Sequence, residues 1–298
     1  MNKLAPLFII AAAILWGIDG IILRPTLYSL PVPNVVFIES LIVSIYLFPI
    51  LITKRKILKS LTVSDWLNFL GVALFGGVLG IMGITKALFY VNYVNLSIVI
   101  LIQKLQPIFA ITFAIIILKE KLNPAFIYWA ILALIGAYIM TFGFTLPTIN
   151  TNDKTLYASL YALLAAFSFG LSTVLSKRIL SSVGFKLATY IRFLLSTFLM
   201  LIVITSFGNF QTLTAVSSSQ FLTFLLIAFT TGGPAMFLYY YGLKFTSASS
   251  STILELAFPL TAILLEYFIR GNILGFVQWV GVVILLVSIT KVAKLKRS

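Results

Sequence analysis

Ten stretches of about twenty apolar residues succeed one another along this chain, and a polypeptide so patterned has to satisfy its backbone inside a bilayer. Hydrocarbon offers no water to an N–H or C=O, so each stretch must close its own hydrogen bonds as a helix. The stretches run Leu4 to Leu23, Val35 to Thr53, Leu67 to Tyr90, Asn95 to Leu118 and Pro124 to Leu146, then Leu156 to Ser176, Phe185 to Phe207, Gln220 to Leu243, Ser247 to Ile269 and Ile273 to Lys291. Of the 298 residues 61% are hydrophobic and only 9% charged, against roughly 25% charged in a soluble domain. The expected fold class is all-α integral membrane, with ten transmembrane helices. The first stretch has only Lys3 among the charges before it and exceeds a signal-peptide core, so it is read as a retained helix.

Lysine and arginine set the expected orientation. With the N-terminus inside, fifteen of them fall at inner helix ends, and only Arg24, Lys154 and Arg270 at outer ends. The net charge of +14 is then a positive-inside bias and not a nucleic-acid surface. A prokaryotic inner membrane, with both termini cytoplasmic, is the expected location. There is no Cys and no His, which excludes disulfide frameworks, thiol nucleophiles, zinc or haem sites built on those ligands, and His-based triads. No Walker motif occurs, so ATP is not the direct energy source. No metal or cofactor is expected.

The halves repeat. Trp16-Gly17 lies over Phe169-Gly170, Arg24 over Lys177 and Glu39 over Arg192; after a one-residue gap Pro107 falls over Pro259 and Leu122 over Leu274. Five helices per copy is an odd number, so the second copy enters from the opposite side. Two inverted repeats result, residues 1–149 and 150–298, joined near Asn150 to Lys154, an arrangement that puts substrate near the midplane between the halves. Breakers recur at matching places: Gly76, Gly77, Gly80 and Gly83 in the third helix, and Gly232, Gly233 and Pro234 in the eighth. They serve either close packing or hinging.

The fourth and ninth stretches echo each other most closely. In Leu96 to Pro107 and in Ala248 to Pro259, a small polar entry leads to an ionisable residue about one turn before a proline. Charge at that depth costs roughly 2.5 to 3.5 kcal/mol and persists where protein or water surrounds it. Lys104 is read as holding a carboxylate or phosphate, and Glu255 as holding an ammonium or a coupling proton, the two facing each other across a cavity. The alternative is that they pair as a buried bridge. Arg192 suits an anionic group through its planar fork, or else bridges to Glu255. Glu39 is an outer gate or proton site, or it reaches headgroup water. Asp19 and Lys86 either close the outer side as an ion pair or are solvated at the interface. Gln103 and Gln106 flank Lys104 as polar lining. Trp16, Tyr90 and Tyr239 either belong to the interfacial aromatic belt or stack on an organic cation or planar ring. Glu266 pairs with Arg270 at i+4 on the surface, and Glu120, between Lys119 and Lys121, is an inner-surface residue.

With these residues in hand the chain resembles the EamA-type members of the drug/metabolite transporter superfamily, over nearly its whole length. The resemblance is carried by Trp16-Gly17, Ala87 to Tyr90, Gln106 to Ala110, Leu118 to Leu122 and Phe258 to Ala262. It implies a cavity formed by the first four helices of each repeat, with the fifth and tenth peripheral, and alternating access by rocking of the halves. The sequence departs from the pattern at Gln106, Phe258, Glu39 and Asn272. The expected function is a secondary transporter of a small metabolite. Fixed groups of both signs at mid-depth point to an amino acid or related zwitterion. A carrier or exchanger of an anionic, phosphorylated or nucleotide-like metabolite, using Lys104 with Arg192, is the first alternative; an intramembrane lipid-modifying enzyme is the second. The expected partners are a small-molecule solute, the lipid bilayer and protons as coupling ion, with room for a homodimer and none for nucleic acid.

Overall fold

The computed structural model describes residues 4–91, 99, 102–146, 153–206, 210, 213, 216–271 and 273–295. Among these residues the regular structure is helical throughout. Nine helices are long and apolar enough to cross a membrane: α1 (Ala5–Leu27), α2 (Val32–Lys59), α3 (Val63–Ala87), α5 (Pro124–Phe142), α6 (Leu156–Ser182), α7 (Phe185–Ser206), α8 (Ser218–Phe245), α9 (Ala248–Ile269) and α10 (Phe276–Lys294). The tenth, α4, is described over Gln106–Leu118. The fold is the expected one, an all-helical membrane bundle of two inverted five-helix repeats.

The pairing of helices carries the repeat. α3 packs on α6 as α1 packs on α8, and α4 packs on α6 as α1 packs on α9. α2 with α7, and α5 with α10, are counterparts packed on each other. Small side chains make this approach feasible in a medium that gives apolar helices no reason to associate: Ala12, Ala13, Ala133, Ala137, Ala162, Ala165 and Ala166 are all fully buried. Large apolar side chains such as Ile45, Phe48 and Ile52 on α2, and Ile127 and Ile131 on α5, turn outward instead. In a bilayer they meet acyl chains.

Two glycines show the symmetry at atomic scale. A Cβ added to Gly17 would lie 3.1 Å from the Phe258 carbonyl oxygen and 2.7 Å from the Thr261 Cβ. One added to Gly170 would lie 3.2 Å from the Gln106 carbonyl oxygen and 2.9 Å from the Phe109 Cβ. Each is thus a glycine because the other repeat's proline-bearing helix crosses it at backbone distance. The helix starts match too: Thr62 and Asp65 form a reciprocal cap on α3, and Ser217 with Gln220 does the same for α8.

The breakers loosen the helices where the sequence places them. α3 is π-helical over Val72–Leu79 and α8 over Ala228–Gly232. A third wide turn, Asp19–Leu23, sits in α1. The helical path is also interrupted by turns at 104–105, just before α4, and at 255–256, within α9. Both interruptions fall two to four residues before the proline, Pro107 or Pro259, whose missing N–H removes one link of the helical ladder.

Candidate functional site

Glu255 lies where α9 breaks, as the C-terminal cap of the short helix Ala248–Leu254. Its carboxylate is held by two donors from different helices. The Tyr239 hydroxyl of α8 donates to Oε1 at 2.6 Å, and the Gln106 amide donates to Oε2 at 2.9 Å. Gln106 is the first residue of the helix Gln106–Leu118, so the positive end of that helix also lies beside the carboxylate. The Tyr239 hydroxyl is in turn 3.0 Å from Thr173 Oγ1 on α6. Next to it Tyr240 shares a hydrogen bond with Ser176 at 2.9 Å and accepts one from Arg192 Nη1 at 3.3 Å. The other Arg192 nitrogen donates to the Gly76 carbonyl at 3.3 Å, an oxygen in the wide π-helical turn of α3. Trp16 of α1 completes one side, its ring 5.3 Å from that of Tyr239. Residues from α1, α3, α4, α6, α7, α8 and α9 therefore meet in one polar network between the repeats.

Four sequence-named residues, Glu255, Tyr239, Trp16 and Arg192, come together here, with Gln106 supplying the polar lining. Three corrections follow. Tyr239 is 4% exposed and Tyr240 1%, so both are buried and hydrogen-bonded to other helices and do not form an interfacial belt. Arg192 bonds Tyr240 and the Gly76 carbonyl in place of a bridge to Glu255. Lys104 does not face Glu255. Its ammonium donates to the Ala137 carbonyl at 2.7 Å and to the Thr141 hydroxyl, and lies over the Phe142 ring, all in the last turns of α5. Lys104 lies in the turn at 104–105, and its ammonium joins the Thr141 hydroxyl on the Ala137 carbonyl of α5. Gln103 is half-buried just before that break. The Tyr90 side chain, and that of Arg270 in the expected pair with Glu266, lie outside the described residues.

The expected pair of Asp19 with Lys86 is replaced by another. Lys86 is exposed and sits over the Tyr161 ring at 5.5 Å. Asp19 is bonded by Arg24, through Nε at 2.9 Å and Nη2 at 2.5 Å, and the same Nη2 donates to Glu39 at 3.2 Å. The π-helical turn explains it: its backbone bonds run from i to i+5, and the Arg24 N–H donates to the Asp19 carbonyl, which brings the two side chains together. Glu120 is likewise not a free surface residue. Its carboxylate crosses to the other repeat and accepts from the Ala248 and Ser249 N–H groups at 2.7 and 3.1 Å and from the Ser249 hydroxyl at 2.7 Å. Sequence reasoning missed Thr173, Ser176 and Arg24. Ser176 belongs to a stripe readable at helical spacing, since Ser168, Ser172 and Ser176 recur every four residues in an apolar helix, and Thr173 lies three residues before it.

The model of the EamA-like transporter family matches this chain twice, over residues 3–142 and 156–293. A riboflavin transporter, ImpX, of Fusobacterium nucleatum subsp. nucleatum is 46% identical over 291 residues, 97% of each chain. A solved crystal structure superposes over 98% of this chain and 96% of its own with a TM-score of 0.76; at 16% identity it shows the fold alone.

Proposed function

This chain belongs to the EamA-like transporter family, and we propose that the solute it carries is riboflavin or a closely related flavin. It is a transporter of a small molecule across a membrane and not an enzyme. The observation that carries the finer reading is the 46% identity, without a long gap in coverage, to a protein named for riboflavin transport. The network around Glu255 supports it chemically. A flavin is a flat ring with a polar edge and a hydroxylated chain. Trp16 and Tyr239 offer aromatic faces, and the Glu255 carboxylate offers an acceptor for hydroxyl donors. The amino-acid expectation rested on fixed groups of both signs at mid-depth; of the cations, Lys104 is engaged with α5, while Arg192 stays in the network.

Transport proceeds by rocking of residues 1–149 against 150–298, with the break turns at 104–105 and 255–256 as the deformable points between them. The lysine-rich ends of the helices face the cytoplasm. Riboflavin fluorescence provides the test. Purified protein is expected to quench it saturably, and both Trp16→Ala and Tyr239→Phe to weaken binding by about tenfold, the equivalent of one good contact of roughly 1.4 kcal/mol. Thermal stabilisation by an amino acid, with none by riboflavin, overturns the flavin reading in favour of the zwitterion.

A further inference from the structure

Gln106 uses little of its hydrogen-bonding capacity. A primary amide carries two N–H donors and a carbonyl acceptor. One N–H goes to Glu255 Oε2 at 2.9 Å, and among the described residues the side chain has no other hydrogen bond. Its second N–H and its carbonyl oxygen are left over. Glu255 has capacity to spare beside it: its oxygens accept one bond each, from Tyr239 and from Gln106, whereas a carboxylate has about four acceptor positions. Tyr239 does not, since its single O–H is spent on Glu255. Burial divides them in the same way, for Gln106 and Glu255 are half-buried and Tyr239 is fully buried. Nor does the fold demand an amide at this place. With Pro107 over Pro259, the other repeat carries Phe258 where the first carries Gln106.

We infer that Gln106 and Glu255 read the rim of the solute's ring, and that the group they take is an N–H flanked by carbonyls, an imide edge. The inference rests on the flavin reading above and refines it. The flavin ring ends in such an edge, with N3–H between the C2 and C4 carbonyls. The ring N–H donates to the Gln106 carbonyl or to the Glu255 carboxylate, and a ring carbonyl accepts the second amide N–H. Donor and acceptor held side by side suit a rigid planar group that carries both, as a glutamine amide does on the edge of adenine. Trp16 bears on which part of the solute arrives. Its ring lies 5.3 Å from that of Tyr239, whose hydroxyl touches the carboxylate, so a ring stacked on Trp16 has its rim within reach of Glu255 and Gln106.

Quenching of flavin fluorescence by purified protein tests this with three ligands: riboflavin, riboflavin methylated at N3, and lumiflavin, which keeps the edge and has a methyl group in place of the hydroxylated chain. Wild type is expected to bind riboflavin about tenfold or more tightly than the N3-methyl derivative, because an analogue without the N–H leaves the site's polar groups unpaired. Lumiflavin should rank between them. Gln106→Leu separates recognition from crowding by the added methyl group. Riboflavin is expected to weaken by about tenfold and the methylated flavin by less than about twofold, so that the preference collapses. Equal weakening of both, which leaves the preference intact, makes Gln106 a support for Glu255 and overturns the inference. Should Gln106→Leu fail to fold, the wild-type ranking decides. A methylated flavin bound as tightly as riboflavin, or more tightly than lumiflavin, overturns the edge in favour of the hydroxylated chain. In each of these cases riboflavin still binds and the flavin reading stands. If none of the three binds, the flavin reading falls and the edge with it.

Discussion

At the scale of single residues, what decides a side chain's role is which donors and acceptors reach it, and Lys104 and Glu255 separate on that ground. Both are ionisable and both precede a proline, but Glu255 is met by donors from two other helices, whereas Lys104 donates into the end of α5. Lys104→Ala should therefore act on stability. Losing a charged donor to a buried carbonyl costs about 1.5 to 3 kcal/mol, read as a lowered thermal midpoint, while the riboflavin dissociation constant stays within about twofold. A large loss of affinity without loss of stability would return Lys104 to the pathway. The sequence made both residues conspicuous because charge is rare in an apolar stretch. It did not show which way each pointed, since a turn at 104–105 redirects the side chain and no periodicity survives a turn.

At the scale of elements, each repeat's fourth helix is interrupted, and the two helices are tied to each other across the repeats, by Gln106 to Glu255 near the breaks and by Glu120 at their ends. Glu120 is the more extensive of these ties, since one carboxylate closes three donors at the start of α9. Such charge-assisted hydrogen bonds are roughly twice as strong as neutral ones. Removing them in Glu120→Ala should loosen the lysine-rich end. The chain has no cysteine, so Ser250→Cys, half-buried one residue beyond this contact, is a clean reporter. Its rate of modification by a water-soluble maleimide is expected to rise about tenfold or more in the Glu120→Ala background, by the loss of about 1.4 kcal/mol of closure. An unchanged rate would mean that packing alone closes this end. The sequence placed Glu120 correctly at a helix terminus. Its target, the N–H groups of Ala248 and Ser249, lies 128 and 129 residues away and has no local signature.

At the scale of the whole molecule, the bundle has two ends of unequal charge, and the positive-inside rule predicts that the lysine-rich end faces the cytoplasm. In intact cells an impermeant thiol reagent should label Ser217→Cys, exposed at the end opposite the lysines, and spare Ser60→Cys, exposed among them; the reverse pattern would invert the topology. The sequence by itself determined the apolar stretches, the approximate course of their helices and their duplication, because a bilayer forces each apolar stretch to satisfy its own backbone and lets proline and glycine be read at their positions. It also marked Glu255, Arg192, Tyr239 and Trp16, because polar and aromatic groups stand out in an apolar chain. Only the tertiary structure decided that these four share a network with Gln106 and Thr173, that Lys104 leaves it for α5, and that Arg24 holds Asp19 and Glu39 together. Those outcomes depend on π-helical turns and broken helices that rotate side chains away from their regular faces, and on partners brought from the other repeat. Pattern along the chain encodes which residues are costly to bury; the packing of helices distant in sequence decides which partner meets that cost.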